Sequence, residues 1–477
     1  MSSGVSAIMA QARSALTAAQ VGLNTTAKNV SNVNTEGYSR QRVEFKAGTP
    51  QGHGVLRVGG GVDVGSINRT TNEFLTKRII DENNSLGMHE GVAGVLNQLE
   101  VLFKEDGEVG ISGIVSQFFN DMRTLSTQPD SIPLRAAVRE SADAVTSRFR
   151  NLTQGVDQVV TDLDRRIEGS VAEINDLTNL ISNLNRQIME IEVRGPSVVA
   201  ADERDSRDLA ISKLSKLIDV QVTDIENGGI SVSSGRMGPL VSATNRVELG
   251  AFRSDTGPHP GNVRVFLMGS QERIPPRDVT DSLKTGVIGG YIEVRDSRVT
   301  DLESKLDSLA FNLTQEINFV HKNSYNRNNE TGLNFFSNLD SSKGAARSLS
   351  LSDEIKGDLG SIATAIDPNA AGDNRAALAI ADLQEAAIFE GGKASFSDLA
   401  SGIVGTLGIQ TRAANESLET QKGLVDQLDN FRKEVTSVSL DEEAMDMIRY
   451  QKLFDSSAKM IQVADSMLDT VINLKRF

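Results

Sequence analysis

SLDEEAMDMIRYQKLFDSSAKMIQVADSMLDTVINLKRF, residues 439–477, decides the fold. Met447, Phe454, Ile461 and Leu468 stand seven residues apart, and Tyr450, Ala464 and Val471 follow three positions later in most turns. Two interleaved heptad series mark a helix that buries one narrow stripe. Ser439 and Glu442 have the spacing of a capping box. Asp441, Glu442 and Glu443 lie at the end where the helix dipole favours anions, and Lys475 and Arg476 at the other. At a rise of 1.5 Å per residue, a helix over 441–475 is about 50 Å long. Such a rod cannot cover its own stripe, so it requires a partner helix.

The opposite end of the chain mirrors it. Val5, Met9, Ala12, Leu16, Ala19, Leu23 and Val30 alternate spacings of four and three, with Thr26 at the missing step. This seam is rich in Ala and Ser and has too little apolar area to hold an isolated helical hairpin firmly. It suits close packing in a multi-subunit array.

Between the ends the helical rhythm continues. Leu163, Ile167, Val171, Ile174, Leu177, Ile181, Leu184, Ile188 and Ile191 predict one rod or two consecutive helices over 136–193, stopped by Gly195-Pro196. Val299, Leu302, Leu306, Leu309, Leu313, Ile317 and Val320 form a further stripe, with shorter ones at 376–390 and 410–435. The stripes at 163–191 and 299–320 read as internal core. From 226 to 290 the rhythm gives way to glycines and short β-branched runs such as Gly229-Ile230-Ser231-Val232-Ser233, which predict a small all-β module. The glycine-rich stretch 48–67, with Val55, Leu56, Val58, Val62 and Val64, predicts a hairpin or extended arm. The fold class is therefore mainly α with an inserted all-β module, elongated and multidomain.

Composition narrows the chemistry. A chain of 477 residues has length for several cores. Its net charge of −15, with no locally basic segment, disfavours nucleic-acid and anionic-membrane partners. The absence of cysteine excludes disulfides, thiol nucleophiles and thiolate metal sites. His53, His89, His259 and His321 are too scattered for a metal motif, so no metal and no cofactor is expected. Gly392-Lys393 lacks the upstream glycine of a P-loop, since Ala387 stands there, and Gly59-Gly60-Gly61 is no dinucleotide fingerprint. Asp202, Glu203, Asp205 and Asp208, interleaved with Arg204 and Arg207, read as a solvated, salt-bridged helix start rather than a catalytic carboxylate pair. No apolar run nears the roughly 20 residues of a membrane span. The N-terminal MSSGVSAIMAQ lacks the features of a Sec signal, so composition alone would place the chain in the cytoplasm unless another exit route exists.

One local motif stands apart. Asn29, Asn32 and Asn34 lead into Thr35-Glu36-Gly37-Tyr38-Ser39-Arg40-Gln41. Short amides can end the first helix and Gly37 can supply a positive-φ turn, which predicts a fixed corner directing the chain from a helical core to an outer layer.

This string, NVSNVNTEGYSRQ at 29–41, strongly resembles the signature of the bacterial flagellar axial proteins. Its ending Tyr38-Ser39-Arg40-Gln41 is similar to the form found in hook-associated subunits of the hook–filament junction. Leu440-Asp441-Glu442-Glu443 and Arg449-Tyr450-Gln451 resemble the specific parts of that branch's terminal helix, and GVIGGYIEVRD at 286–296, GLNFF at 332–336 and GDNRAALAIADLQ at 372–384 agree in order. Phe454 stands where the family commonly has tyrosine, and Glu36 where a proline is frequent.

The resemblance implies a structural, non-enzymatic subunit of the hook–filament junction, outside the cell, exported through the flagellar type III channel without a cleaved signal. It implies N- and C-terminal helices paired as an inner coiled coil, carried by Val5, Met9, Leu16, Leu23, Met447, Phe454, Ile461 and Leu468. The implied partners are further copies in a ring, eleven by family resemblance, hook protein, a second hook–filament junction protein and an export chaperone. The expected divisions are 1–45 and 439–477 in the inner domain, 46–225 and 286–438 in a helical rod domain, and 226–285 as the β insert. The terminal stripes are expected to be largely disordered in a lone chain and to fold when neighbours bury them. Competing readings are a hook or second hook-associated subunit, a cell-wall hydrolase, and an adhesive module in the β insert, for which no acid pair or carried-over motif speaks.

Overall fold

The computed structural model describes residues 2–49, 60–104, 110–195, 198–255, 259–269, 275–370, 372–387, 389 and 393–474. Helix α1 (Ser2–Ser31) leads through the corner turn into a two-stranded antiparallel hairpin, β1 (Gln41–Ala47) and β2 (Val62–Arg69), with Gln41 opposite Arg69. Of the glycine-rich arm, Val62 and Val64 lie on β2, whereas Val55, Leu56 and Val58 fall outside the described residues. Three helices follow: α2 (Glu73–Phe103), α3 (Ile111–Thr127) and α4 (Ile132–Glu192). The last is one uninterrupted helix, and its stripe is buried from Leu163 to Ile188 except at the half-buried Leu177.

Helix α5 (Ala201–Leu217) packs back on α4, and the β insert begins directly after it, at 221 rather than 226. β3 (Gln221–Asp224), β4 (Ile230–Ser234), β5 (Gly238–Ser242) and β6 (Asn245–Arg246) form a sequential antiparallel sheet. β7 (Leu249–Arg253), β8 (Val263–Leu267) and β9 (Arg277–Asp278) form a second. Their inward residues, among them Val232, Val241 and Val265, share one core with Ile174 and Ile181 of α4 and Ile211 and Leu214 of α5. Helices supply the apolar face that these short strands cannot build alone.

α6 (Gly286–Glu293) continues through a π-helical turn, Val294–Val299, into α7 (Thr300–Lys322). The turn aims Arg295 inward, where its guanidinium donates to Asp164 at 2.7 Å and to the Val263 carbonyl at 2.8 Å, joining α4, β8 and the long helix. β10 (Tyr325–Asn326) pairs with β11 (Ala363–Ala365), with the short helices α8 (Ala345–Ser348) and α9 (Asp353–Gly357) between them. α10 (Arg375–Asp382) is shorter than the stripe at 376–390 suggested, and α11 (Phe396–Thr436) longer than the one at 410–435. A Ser395–Asp398 capping box starts α11, which runs along α2. The largest core joins α2, α3, α4, α7 and α11 around the touching rings of Phe118, Phe119, Phe335, Phe336 and Phe396.

The final helix, α12 (Leu440–Leu474), lies antiparallel along α1. Lys475 and Arg476, expected at its basic end, fall outside the described residues. Among the described residues of α12, buried positions recur every seven residues at Glu443, Tyr450, Ser457 and Ala464, with half-buried Met447, Phe454, Ile461 and Leu468 between them. On α1, Ala12, Ala19 and Thr26 are buried, and Val5, Met9, Leu16 and Leu23 half-buried. The spacing alone left these stripes to neighbouring copies, whereas the family resemblance implied that the two terminal helices pair with each other, as they do. In the structure each finds its first partner in the other end of the same chain.

Candidate functional site

The helix pair meets the rest of the molecule at the corner, and Asn29 is its hub. The end of α1 is closed by Asn32, whose amide donates to the Lys28 carbonyl at 2.9 Å while its oxygen accepts from the Thr35 hydroxyl. Gly37 turns the chain with φ +81°, and a Cβ there would press on Leu209 of α5. The positive φ favours glycine, and the tight approach to Leu209 adds to that preference. The turn brings residues 38–41 back beside Asn29.

All four hydrogen-bonding valences of that amide are then used. Its nitrogen donates to the Gln41 carbonyl at 2.9 Å and to Glu443 Oε2 at 3.0 Å. Its oxygen accepts from the Tyr38 hydroxyl at 2.8 Å and the Gln41 N–H at 3.0 Å. Burial and the carboxylates of Asp202, Asp205 and Glu443 raise the Tyr38 pKa, which keeps the phenol a donor.

Arg40 grips the first turn of α12. Its Nε donates to Glu443 Oε1 at 2.7 Å, one Nη to Glu442, and the other Nη lies 3.7 Å from Asp446. Glu442, which the sequence offered as a capping-box residue, thus turns its side chain to Arg40. Burial opposes the Arg40 charge, but Glu442 and Glu443 hold its pKa above the ordinary value. The Arg40 backbone also bridges, donating to Thr436 at the end of α11 and accepting from Thr70.

The other half of the corner is α5. Gln41 Nε2 donates to Asp202 Oδ1 at 2.9 Å, and Lys28 reaches the second oxygen at 2.7 Å. Asp205 accepts from the Ser39 N–H at 3.0 Å and from Arg69 of β2 at 2.7 Å, while Asp208 accepts from the same Arg69. Burial raises the Asp205 pKa, against the opposing pull of Ser39 and Arg69. This acidic stretch is a salt-bridged helix start, as its alternating charge suggested, but only in part a solvated one: Asp202 is exposed, whereas Asp205 and Arg207 are buried, and Arg207 donates to Asn185 of α4 and the Gly228 carbonyl.

The structure gathers Asn29, Asn32, Gly37, Tyr38, Arg40, Gln41, Glu442 and Glu443 in one place. Asn34 is exposed on the turn, and Leu440, Asp441 and Gln451 are exposed on α12. Tyr450 sits one heptad below Glu443, its ring edge-on to Phe45 of β1 at 6.1 Å and against Gly22 of α1, with Arg449 over its outer face at 5.7 Å. Lys28, Arg69, Asp202 and Asp205 were missed as corner residues. The available signal was three carboxylates, Asp202, Asp205 and Asp208, repeating every three residues on one helical face.

The model for the helical domain of flagellar hook-associated protein FlgK matches residues 96–336, just over half of the chain. The chain belongs to the FlgK family. Two further flagellar models bracket the corner: the basal body rod protein model matches 9–38, and the C-terminal model of the FlgE, FlgF and FlgG rod proteins matches 434–474. Flagellar hook-associated protein 1 of Bacillus subtilis is 28% identical over 493 residues, covering 97% of each chain. Those of Salmonella typhimurium and Escherichia coli are 25% and 24% identical, covering 99% of this chain and all of theirs. The solved flagellar hook junction protein FlgK of Burkholderia pseudomallei shares the fold, with TM-score 0.66 at 15% identity over 76% of this chain and all of that one. Family membership makes the protein a component of the bacterial flagellum, with axial proteins as its assembly context.

Proposed function

We propose that the chain is the structural, non-enzymatic subunit of the hook–filament junction, assembling through its paired terminal helices. The observation that carries this reading is an outer apolar row on α12. With the seam toward α1 already covered, Met445, Ile448, Met460, Val463 and Met467 still lie exposed away from it, between 45% and 64%. A long helix that leaves so much apolar surface in water requires further partners. Copies of the same chain, eleven in a ring by family resemblance, together with hook protein and the second junction protein, supply them. An export chaperone covers the row beforehand, and the chain leaves through the type III channel without a cleaved signal.

In this reading residues 1–45 and 439–477 form the inner coiled-coil domain, 46–220 and 286–438 the rod domain, and 221–285 the insert, which opens with β3. The corner passes load between inner and outer parts. Its bonds join α1, α5, α11, α12 and the hairpin, so torque on the rod meets a braced joint instead of a free linker. Electron microscopy of a deletion strain tests the assignment. Hooks without filaments, with filament protein lost to the medium, is the expected result, and normal filaments would refute it.

A further inference from the structure

Glu443 is out of character with its position. Among the described residues, the buried heptad sites of α12 are Glu443, Tyr450, Ser457 and Ala464, and of these only the first carries a charge. Its side chain is 2% exposed and both oxygens are occupied, by Asn29 of α1 and Arg40 of the corner. Neither donor belongs to α12, so the carboxylate is satisfied only while the two helices hold this axial position.

The seam has one other position-specific contact, the Tyr450 ring over Gly22, where a Cβ would meet it at 2.7 Å. Elsewhere it is lined by small residues, Ala12, Ala19, Ser457 and Ala464, which discriminate poorly between positions. A slip of one heptad in one direction sets Glu443 beside Gly22, which offers no side-chain donor. Heptads alone tolerate such slips, whereas one buried polar residue at a seam position selects a single register. An ionised group buried without donors is the strongest penalty available for that selection.

We infer that Glu443 is the register-determining residue of the terminal helix pair, accepted by Asn29 and Arg40 at one axial position alone, so that every copy turns the same outer row of α12 toward its neighbours. The register itself stands on the contacts above; its consequence for neighbours rests on the assembly reading of that row.

The chain has no cysteine, so two introduced thiols report proximity without background. Asn29 with Glu443, and Gly22 with Tyr450, set an antiparallel offset that places Ala15 beside Ser457. In the full-length chain, A15C/S457C reports the native register, while A15C/A464C and I8C/S457C report slips of one heptad in either direction. Under mild oxidation the parent chain forms the first disulfide and little of the other two. E443L, with helix content unchanged by circular dichroism, raises at least one slipped disulfide roughly fivefold relative to the native one. E443Q, which keeps one acceptor, gives a smaller rise, and E442Q gives none, because that carboxylate is half-exposed. Native-only cross-linking in E443L overturns the inference. So does loss of all three cross-links with loss of helicity, which would make Glu443 a requirement for pairing instead of register. Returning E443L to a deletion strain separates the two readings. A slipped protein that still builds junctions sinks the assembly reading and leaves the register assignment standing.

Discussion

Helices α4 and α12 carry the same three-four apolar rhythm, and the structure treats them in opposite ways. In α4, Ile167, Ile174, Ile181 and Ile188 are wholly buried within the chain. In α12, Met447, Phe454, Ile461 and Leu468 are only half-buried, and a second row beyond them faces water. Heptad spacing thus specifies that a stripe must be covered, but the surrounding chain decides how much of the covering is internal. The rod has α2, α5, α6, α7 and two sheets to surround its long helix, whereas the terminal helix has α1 and the hairpin.

The contrast breaks most visibly at the rod core. Phe335, fully buried among Phe118, Phe336 and His321, should cost about 3 to 5 kcal/mol when replaced by alanine. Denaturant unfolding of the purified chain would show the lowered midpoint, while Phe454→Ala in the half-buried seam should leave the main transition nearly unmoved. At the joint, Arg40→Ala strands the buried Glu443 carboxylate and should destabilise the terminal pair by about 3 kcal/mol. Limited proteolysis should then cut α12 well before the rod, and equal protection of both would contradict the account.

Acid should act on the rod through one buried histidine. His321 is buried, with Nε2 accepting from the Ala363 N–H at 2.9 Å and Nδ1 facing the Leu333 carbonyl at 2.8 Å. Burial, with a smaller push from Arg135, lowers its pKa from 6.5 to about 4. The native state therefore refuses a proton that the unfolded chain accepts. Its stability is fully present above pH 6.5 and falls as pH drops from there toward 4, by on the order of 3 kcal/mol. Unfolding midpoints measured across that range should converge with those of His321→Gln, whose side chain does not titrate. The smallest effect is Tyr38→Phe, which removes one of four bonds to Asn29 and should cost about 1 kcal/mol, read as a modest rise in corner hydrogen exchange.

The sequence made the long helices legible because a single stripe at constant spacing survives in one dimension, as it does from Leu163 to Ile188. Helix α2 offered no such stripe. Gly87 and Gly91 approach the backbone around Lys216 and Val287 so closely that no Cβ fits, and the helix is buried on several sides at once. The short strands of the insert showed their period of two, but their dependence on α4 for a core did not show, because it is a contact between residues far apart in the chain. The corner was legible by half. Asn29, Tyr38 and Arg40 lie within one motif, whereas Asp205 finds Ser39 and Arg69 more than a hundred positions away. Alternating charge looks the same in sequence whether water or a distant backbone satisfies it.

The most direct measurement places aspartate on the outer row alone, at Met460 and Val463, and returns the variant to a strain lacking the protein. Both side chains are exposed and lie off the seam, so the purified chain should keep its helix content and its α1–α12 pairing. By electron microscopy, hooks should be bare and the variant should be recovered in the medium. Normal filaments on those hooks would show that the outer row of α12 has no part in building the junction.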